Sequence, residues 1–373
     1  MAIEVEPGFI DEAARYGAFD IKACFNCGNC TAVCPLSEEG ASFPRRMIRL
    51  GQIGAREAIL DAPEPWLCYY CGECSETCPR QAEPGEYLAS LRRYQIASLD
   101  PTGLGSLIYR SPVAGVLLSL VVAVVLGAFL VTRPADGGAL PHWSFGGLVP
   151  YEAIHLAGLV VSVALALLLG VSLVRLSRRV GLGAILTSGK LGAALKELGL
   201  EVATMKRHAE CHADDHRRLP AWLDPRIVHL FIMWGFIALA VATALDFLFV
   251  YGLGTTVFLP ARVLGTIGGL AMLAGVSVAT ARRATRREKA ASHTRFADGW
   301  LLLYLFVLAV TGFWLEVVVT LGVRAPLHDW VMLIHAVMAM ELVLFVGMTK
   351  LAHAVYRPLA LLVRFTRQEG GPS

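Results

Sequence analysis

Apolar positions along the chain gather into six long blocks separated by short polar or basic stretches, and every block lies after residue 111. A helix needs roughly 20 apolar residues to cross a bilayer core about 30 Å thick. The blocks therefore predict spans at Pro112–Val131, Tyr151–Val174, Ile227–Val250, Leu259–Ala281, Trp300–Leu321 and Leu327–Tyr356. Before Pro112 no block is long enough. There, apolar residues recur at helical spacing over 43–50, Ala55–Leu60 and Glu86–Ala97, which predicts short helices rather than strands. Pro101, Gly103 and Gly105 mark a breaker-rich linker. The expected fold is all-α, with a helical domain over 1–98, a linker over 99–111 and a six-helix transmembrane bundle over 112–373.

Composition agrees with a membrane protein: 55% of residues are hydrophobic, concentrated in these blocks. The net charge of +3 says less than where the charges fall. Basic residues such as Arg175, Arg178, Arg179, Arg282, Arg283, Arg286 and Arg287 follow spans two and four, and the C-terminal tail adds Arg357, Arg364 and Arg367. The opposite loops show little beyond Arg133 and Arg324. The positive-inside rule then places both ends of a multi-pass protein of the cytoplasmic (inner) membrane in the cytoplasm. Glu4, Glu6, Asp11 and Glu12 near the start, with no basic residue leading into an apolar run, agree with a cytoplasmic N-terminal domain.

Eight of the nine cysteines form two copies of C-x2-C-x2-C-x3-C-P, at Cys24, Cys27, Cys30, Cys34-Pro35 and at Cys68, Cys71, Cys74, Cys78-Pro79. Three closely spaced thiolates suit three corners of one 4Fe-4S cubane, and the fourth, before a proline, suits the other cluster. Crossed ligation follows: Cys24, Cys27, Cys30 and Cys78 for cluster one, and Cys68, Cys71, Cys74 and Cys34 for cluster two. Gly28 and Gly72 follow the second cysteine of each run, where a missing side chain lets the backbone wrap closely. Paired zinc sites and disulfides are the alternatives. Zinc sites usually use two separated C-x2-C pairs, and a reducing cytoplasm disfavours disulfides. Cys211 is read as a free thiol. The first domain is thus expected to be an α-helical ferredoxin domain.

Histidine depth carries the next signal. His335 and His353 lie eighteen residues apart in the last block. On one continuous helix that is about five turns, which would put both on one face about 27 Å apart. Such a helix could give one axial ligand to each of two b haems, and depth pairs His229 with His353 on the cytoplasmic side and His155 with His335 on the periplasmic side. His142 and His328 are rivals for the periplasmic site. Any one of these histidines could instead be an interfacial residue or hydrogen-bond across helices. His208, His212 and His216 recur every four residues beside Cys211, a pattern that fits a solvated or subunit-contacting helix better than a metal site. Glu316 and Asp246 fall near the periplasmic ends of their spans and are candidate quinone-site carboxylates, Glu316 the stronger of the two, with snorkelling to water as the plainer role for Asp246.

The stretch Cys24-Phe25-Asn26-Cys27-Gly28-Asn29-Cys30 with Phe43-Pro44-Arg45-Arg46-Met47, and then Trp66-Leu67-Cys68-Tyr69-Tyr70-Cys71-Gly72-Glu73-Cys74, resembles the small iron-sulfur subunit of heterodisulfide reductases. Leu333-Ile334-His335 and Leu351-Ala352-His353, followed by Arg357-Pro358, are similar to the haem helix of nitrate reductase gamma-type cytochromes b. A chain joining the two resembles the membrane subunits of quinone-interacting (quinone-modifying, Qmo) oxidoreductase complexes. The resemblance implies two 4Fe-4S clusters, two haem b, quinone as substrate, cytoplasmic flavin and iron-sulfur partner subunits of a Qmo-like complex, and electron exchange with APS reductase in sulfur metabolism. One departure is plain. The gamma-type cytochromes carry two haem histidines ten residues apart on one helix, whereas Leu239 stands ten after His229, and this puts His155 forward. The competing readings are the membrane arm of a heterodisulfide reductase-like complex, and a haem and iron-sulfur membrane anchor or redox sensor. A transporter is disfavoured: no internal repeat accompanies intramembrane charges such as Glu341. No nucleic-acid partner is expected.

Overall fold

Prolines and capping side chains set where the long helices begin. The computed structural model describes residues 4–17, 19–37, 42–132, 148–210, 220–255, 259–285, 293–323 and 325–368. His142, Cys211, His212 and His216 lie outside them. No strand occurs among the described residues, and the fold is all-α. The N-terminal part contains α1 (Phe9–Ala14), α2 (Asn29–Ala32), α3 (Arg45–Gln52), α4 (Arg56–Leu60), α5 (Glu64–Leu67), α6 (Glu73–Glu76) and α7 (Pro84–Leu99). After α8 (Leu104–Arg110) come α9 (Pro112–Val131), α10 (Tyr151–Val180), α11 (Leu182–Leu186), α12 (Leu191–Thr204) and α13 (Lys206–Glu210). The chain continues through α14 (Pro225–Asp246), α15 (Leu259–Thr285), α16 (Phe296–Leu321), α17 (Pro326–Leu344) and α18 (His353–Gln368). Among the described residues six helices, α9, α10 and α14 to α17, are long and apolar enough to cross a membrane.

Pro112, Pro225 and Pro326 each open a span at the first helical position, where a missing N–H costs nothing. Ser111 Oγ accepts from Ala114 N (3.2 Å) and Asp224 Oδ1 from Arg226 N (2.7 Å), which satisfies donors the first turn leaves orphaned. Between α14 and α15, small residues bring the backbones together. A β-carbon on Gly235 would stand 2.6 Å from Gly268 O, and one on Gly275 would stand 2.9 Å from Val228 O. Packing of this kind replaces the hydrophobic effect as the glue between helices in lipid. Val113, Val124, Leu167, Ile267 and Leu321 are left exposed on the spans, as lipid-facing side chains are.

The cluster domain and the bundle share one core. Met47, Trp66, Tyr87 and Leu88 belong to the same buried set as Leu176 and Val180 of α10, Ile185 of α11 and Tyr356, Ala360 and Val363 of α18. Trp66 meets Tyr356 edge to face, ring centroids 5.3 Å apart, a pairing worth about 0.5–1.5 kcal/mol beyond its burial. The orphan carbonyl of Leu99 at the end of α7 accepts from Ser172 Oγ (3.1 Å) and Arg175 Nη1 (3.2 Å), and Arg179 bridges Glu57 and Asp61 at 2.9 Å each.

Two expectations are corrected. The stretch read as a linker contains α8, because Asp100 Oδ2 accepts from Gly105 N (2.7 Å) and its other oxygen from Thr102 N (2.9 Å), so the breakers cap a helix. More consequentially, Leu327–Tyr356 is not one helix. α17 ends at Leu344; Gly347 follows, Thr349 is extended, and a short 3-10 turn over Lys350–Ala352 leads into α18. An uninterrupted apolar span would strand the Lys350 ammonium in lipid, whereas the break lets its Nζ reach Asp298 Oδ1 of α16 at 2.6 Å. The five-turn register between His335 and His353 is lost with it. The remaining spans start or end up to six residues from their expected limits, as α10 does by running on to Val180.

Candidate electron-transfer site

The two cysteine runs adopt the same local conformation. Asn26 and Tyr70, the second residues after the first cysteines, have φ of 63° and 58°, and Gly28 and Gly72, after the second cysteines, have 89° and 98°. Only glycine adopts the last two without steric cost. In both loops a backbone N–H turns back on the first sulfur: Asn26 N to Cys24 Sγ (3.4 Å) and Tyr70 N to Cys68 Sγ (3.3 Å). The third cysteines sit in the one-turn helices α2 and α6.

α2 packs against α6. A cavity beside α7 is lined by Cys34 together with Cys68, Cys71 and Cys74. Cys24, Cys27 and Cys78 act electrostatically on Cys30. These groupings are the ones that crossed ligation would use. Among the described residues no three Cys, His, Asp or Glu side chains converge as they would on one ion. Burial pushes the Cys34 thiol up to about 12, with Cys68 and Cys71 adding to the shift, and also raises Cys30, Cys68 and Cys74. Iron supplies the positive charge that such thiolates lack.

The set around Cys34 faces the bundle. Cys68 directly follows α5, whose Trp66 packs on Tyr356. The guanidinium of Arg357 lies 4.0 Å over the ring of Tyr69, which also donates to Glu201 and meets the edge of the buried His208. His208 thus packs structurally. On the other side, Tyr70 Oη donates to Glu86 Oε2 (2.6 Å), Glu86 Oε1 accepts from Arg93 (2.7 Å), and Arg93 lies 3.9 Å from Asp298, the partner of Lys350. Lys350 O in turn accepts from His353 Nδ1 (2.5 Å). Polar contacts therefore run from the Cys68 loop to His353. Asp298 and Lys350 escaped the sequence reading, since nothing in local spacing brings residues from separate elements together.

His229 and His353 come together, with ring centroids 6.1 Å apart. At that separation the two imidazoles could hold one b haem between them. A carbonyl only accepts, so His353 Nδ1 carries the proton and Nε2 is left as the free donor of an electron pair. His229 Nδ1 is buried without a partner. His335 has the same tautomer: Thr311 Oγ1 donates to Val307 O (2.7 Å) and accepts from His335 Nδ1 (2.8 Å). Its expected mate, His155, stacks on Phe247 with ring centroids 5.7 Å apart. His328 Nδ1 accepts from Trp314 Nε1 (3.2 Å), which leaves its proton on Nε2, the wrong tautomer for a ligand through that atom.

Of the candidate quinone residues, Glu316 accepts from Thr266 Oγ1 (2.7 Å) and lies 3.5 Å from Arg262 Nε, whereas Asp246 ends α14 next to Phe247 and near His155. Glu341 is fully buried, and its oxygens accept from Ser119 Oγ and from Tyr304 Oη (2.8 Å).

Residues 20–82 match the 4Fe-4S dicluster domain family, and residues 138–371, well over half of the chain, match the citrate utilization protein B family. The chain belongs to the citrate utilization protein B family. Over 110 residues this family member is 36% identical to a heterodisulfide reductase subunit-like protein of Archaeoglobus profundus, an alignment covering 28% of the chain and 58% of that relative. The chain thus spans little more than half the length of the curated relative it matches. No solved structure matches. With six membrane-type helices and an iron-sulfur dicluster domain, this citrate utilization protein B family member is a membrane-associated redox protein of the electron-transfer type.

Proposed function

We propose that the chain is the membrane electron-transfer subunit of a quinone oxidoreductase complex, linking quinone in the bilayer to soluble flavin and iron-sulfur partner subunits on the cytoplasmic side. The observation that carries this reading is the seating of α5 on α18. Trp66 packs on Tyr356 while Tyr69 packs on Arg357, so the loop of Cys68 and the helix that starts at His353 form one packed unit. Clusters at the two cysteine sets and b haem at His229 and His353 would supply one-electron transfer. The chain's own part is to fix these sites on one rigid core and hold the His353 proton at Nδ1. A second haem is assigned to His335, with His155 as its mate, and Glu316 and Asp246 are the carboxylates that would exchange protons with quinone.

The soluble partner follows from chemistry less closely. The heterodisulfide reductase likeness favours a sulfur-linked partner such as APS reductase. A second reading takes the partner from carboxylate metabolism, since the family is named for citrate utilization.

The test is quinol-driven reduction of the purified chain in lipid nanodiscs, followed by haem absorbance and by cluster EPR. Quinol should reduce haem, and dithionite-reduced clusters should reoxidise when quinone is added. Full cluster content with no haem, or haem that never responds to quinone, would reduce the chain to an anchor or sensor.

A further inference from the structure

The first cysteine loop repeats the second in backbone but not in surroundings. Tyr69, which follows Cys68, is covered by Arg357 of the next element along the electron path. Its counterpart Phe25, which follows Cys24, is 61% exposed, and Cys27 beside it is exposed as well. Phe25 also lines an open groove with Cys24, Lys22, Arg45, Arg46 and Arg49. Lys22 pairs with Asp11 and Arg46 with Glu64. Arg45 and Arg49 have no carboxylate at ion-pair distance among the described residues. The Arg45 guanidinium lies over the cysteine loop itself, 3.3 Å from where a β-carbon on Gly28 would stand.

We infer that this groove is the docking face for a soluble redox protein with an acidic rim, which exchanges electrons at the set Cys24, Cys27, Cys30 and Cys78. The inference rests on the electron-transfer reading and adds the partner's chemistry and its point of contact. Phe25 takes the central contact, in the place that Tyr69 holds at the other loop, and the cations around it select carboxylates. Complementary charge of this kind raises encounter rates and rejects partners of the wrong sign. Electrons pass singly: the partner's reduced flavin or iron-sulfur centre is oxidised as the chain is reduced, or the reverse, and no bond is made or broken.

The experiment places the photoreactive p-benzoylphenylalanine at position 25 of the full chain, irradiates membranes of its own host, and identifies the adduct by mass spectrometry. The expected adduct is an Asp- and Glu-rich segment of a soluble flavin or iron-sulfur protein. Its yield should drop with added salt and by about tenfold or more in the Arg45→Glu, Arg49→Glu double variant, because like charges facing each other cost several kcal/mol and 1.4 kcal/mol is tenfold. EPR of both clusters in that variant reports whether its domain is folded, and if it is not, the salt dependence of the unaltered chain decides. No adduct, an adduct only with lipid, nucleic acid or a second copy of the chain, or a yield indifferent to both salt and charge overturns the inference. Failure of electrons to pass from the clusters into the membrane domain of the unaltered chain would instead refute the electron-transfer reading, a separate result.

Discussion

The two cysteine loops are built alike, and the two histidine levels are not. Each loop carries the same left-handed residues, the same N–H to sulfur contact and the same one-turn helix, because each is encoded within eleven residues. The His229 and His353 level is assembled from α14, a helix break and α18, with a backbone carbonyl selecting the tautomer. The His335 level has its tautomer set by Thr311, while its expected mate His155 stacks on Phe247. A ligand set within one loop is fixed by local geometry, whereas one spread over several helices depends on how those helices pack.

The sharpest way to break the comparison is at the crossing of the loops. Cys34→Ser should remove the cluster held by Cys68, Cys71 and Cys74 and spare the other, lowering iron from about eight to about four atoms per chain. Loss of the signal from the Cys24, Cys27 and Cys30 cluster alone would mean that the loops do not exchange their fourth ligands.

The histidine levels are separated by single substitutions. His229→Ala and His353→Ala should each abolish the same haem, about half of the pyridine haemochrome signal of a two-haem chain. His335→Ala should take the other half, and His155→Ala should match it only if His155 moves off Phe247 to reach the iron. Were His229→Ala and His353→Ala to remove different haems, the approach of these two imidazoles would have no bearing on ligation.

A smaller effect distinguishes the iron-free loops from the loaded ones. Cys34, held up to about 12 from the ordinary thiol value of 9.0, keeps its proton in the folded iron-free domain while an unfolded chain would ionise. The sign is set by linkage: the contribution to stability is fully present below pH 9.0 and is lost as pH rises toward about 12. Circular dichroism of the iron-free chain should therefore show alkaline unfolding over that window. The loaded protein, its thiolates already bound, should not share it, and equal sensitivity in both forms would contradict the burial of this set.

Much of this was legible in the order of residues alone. Six apolar blocks were enough to mark the spans, because the length of apolar sequence a bilayer demands is a local property. The cysteine spacing likewise specified two loops, since three thiolates and a glycine within seven residues leave few backbone paths. Tertiary structure decided the rest. Lys350 reads as one polar residue in an apolar stretch until Asp298 is seen beside it, and that pairing breaks the helix, cancels the register between His335 and His353, and turns His353 toward His229. Helical phase predicts a shared face only while the helix is unbroken, and a buried charge with a partner on another helix is what breaks it here.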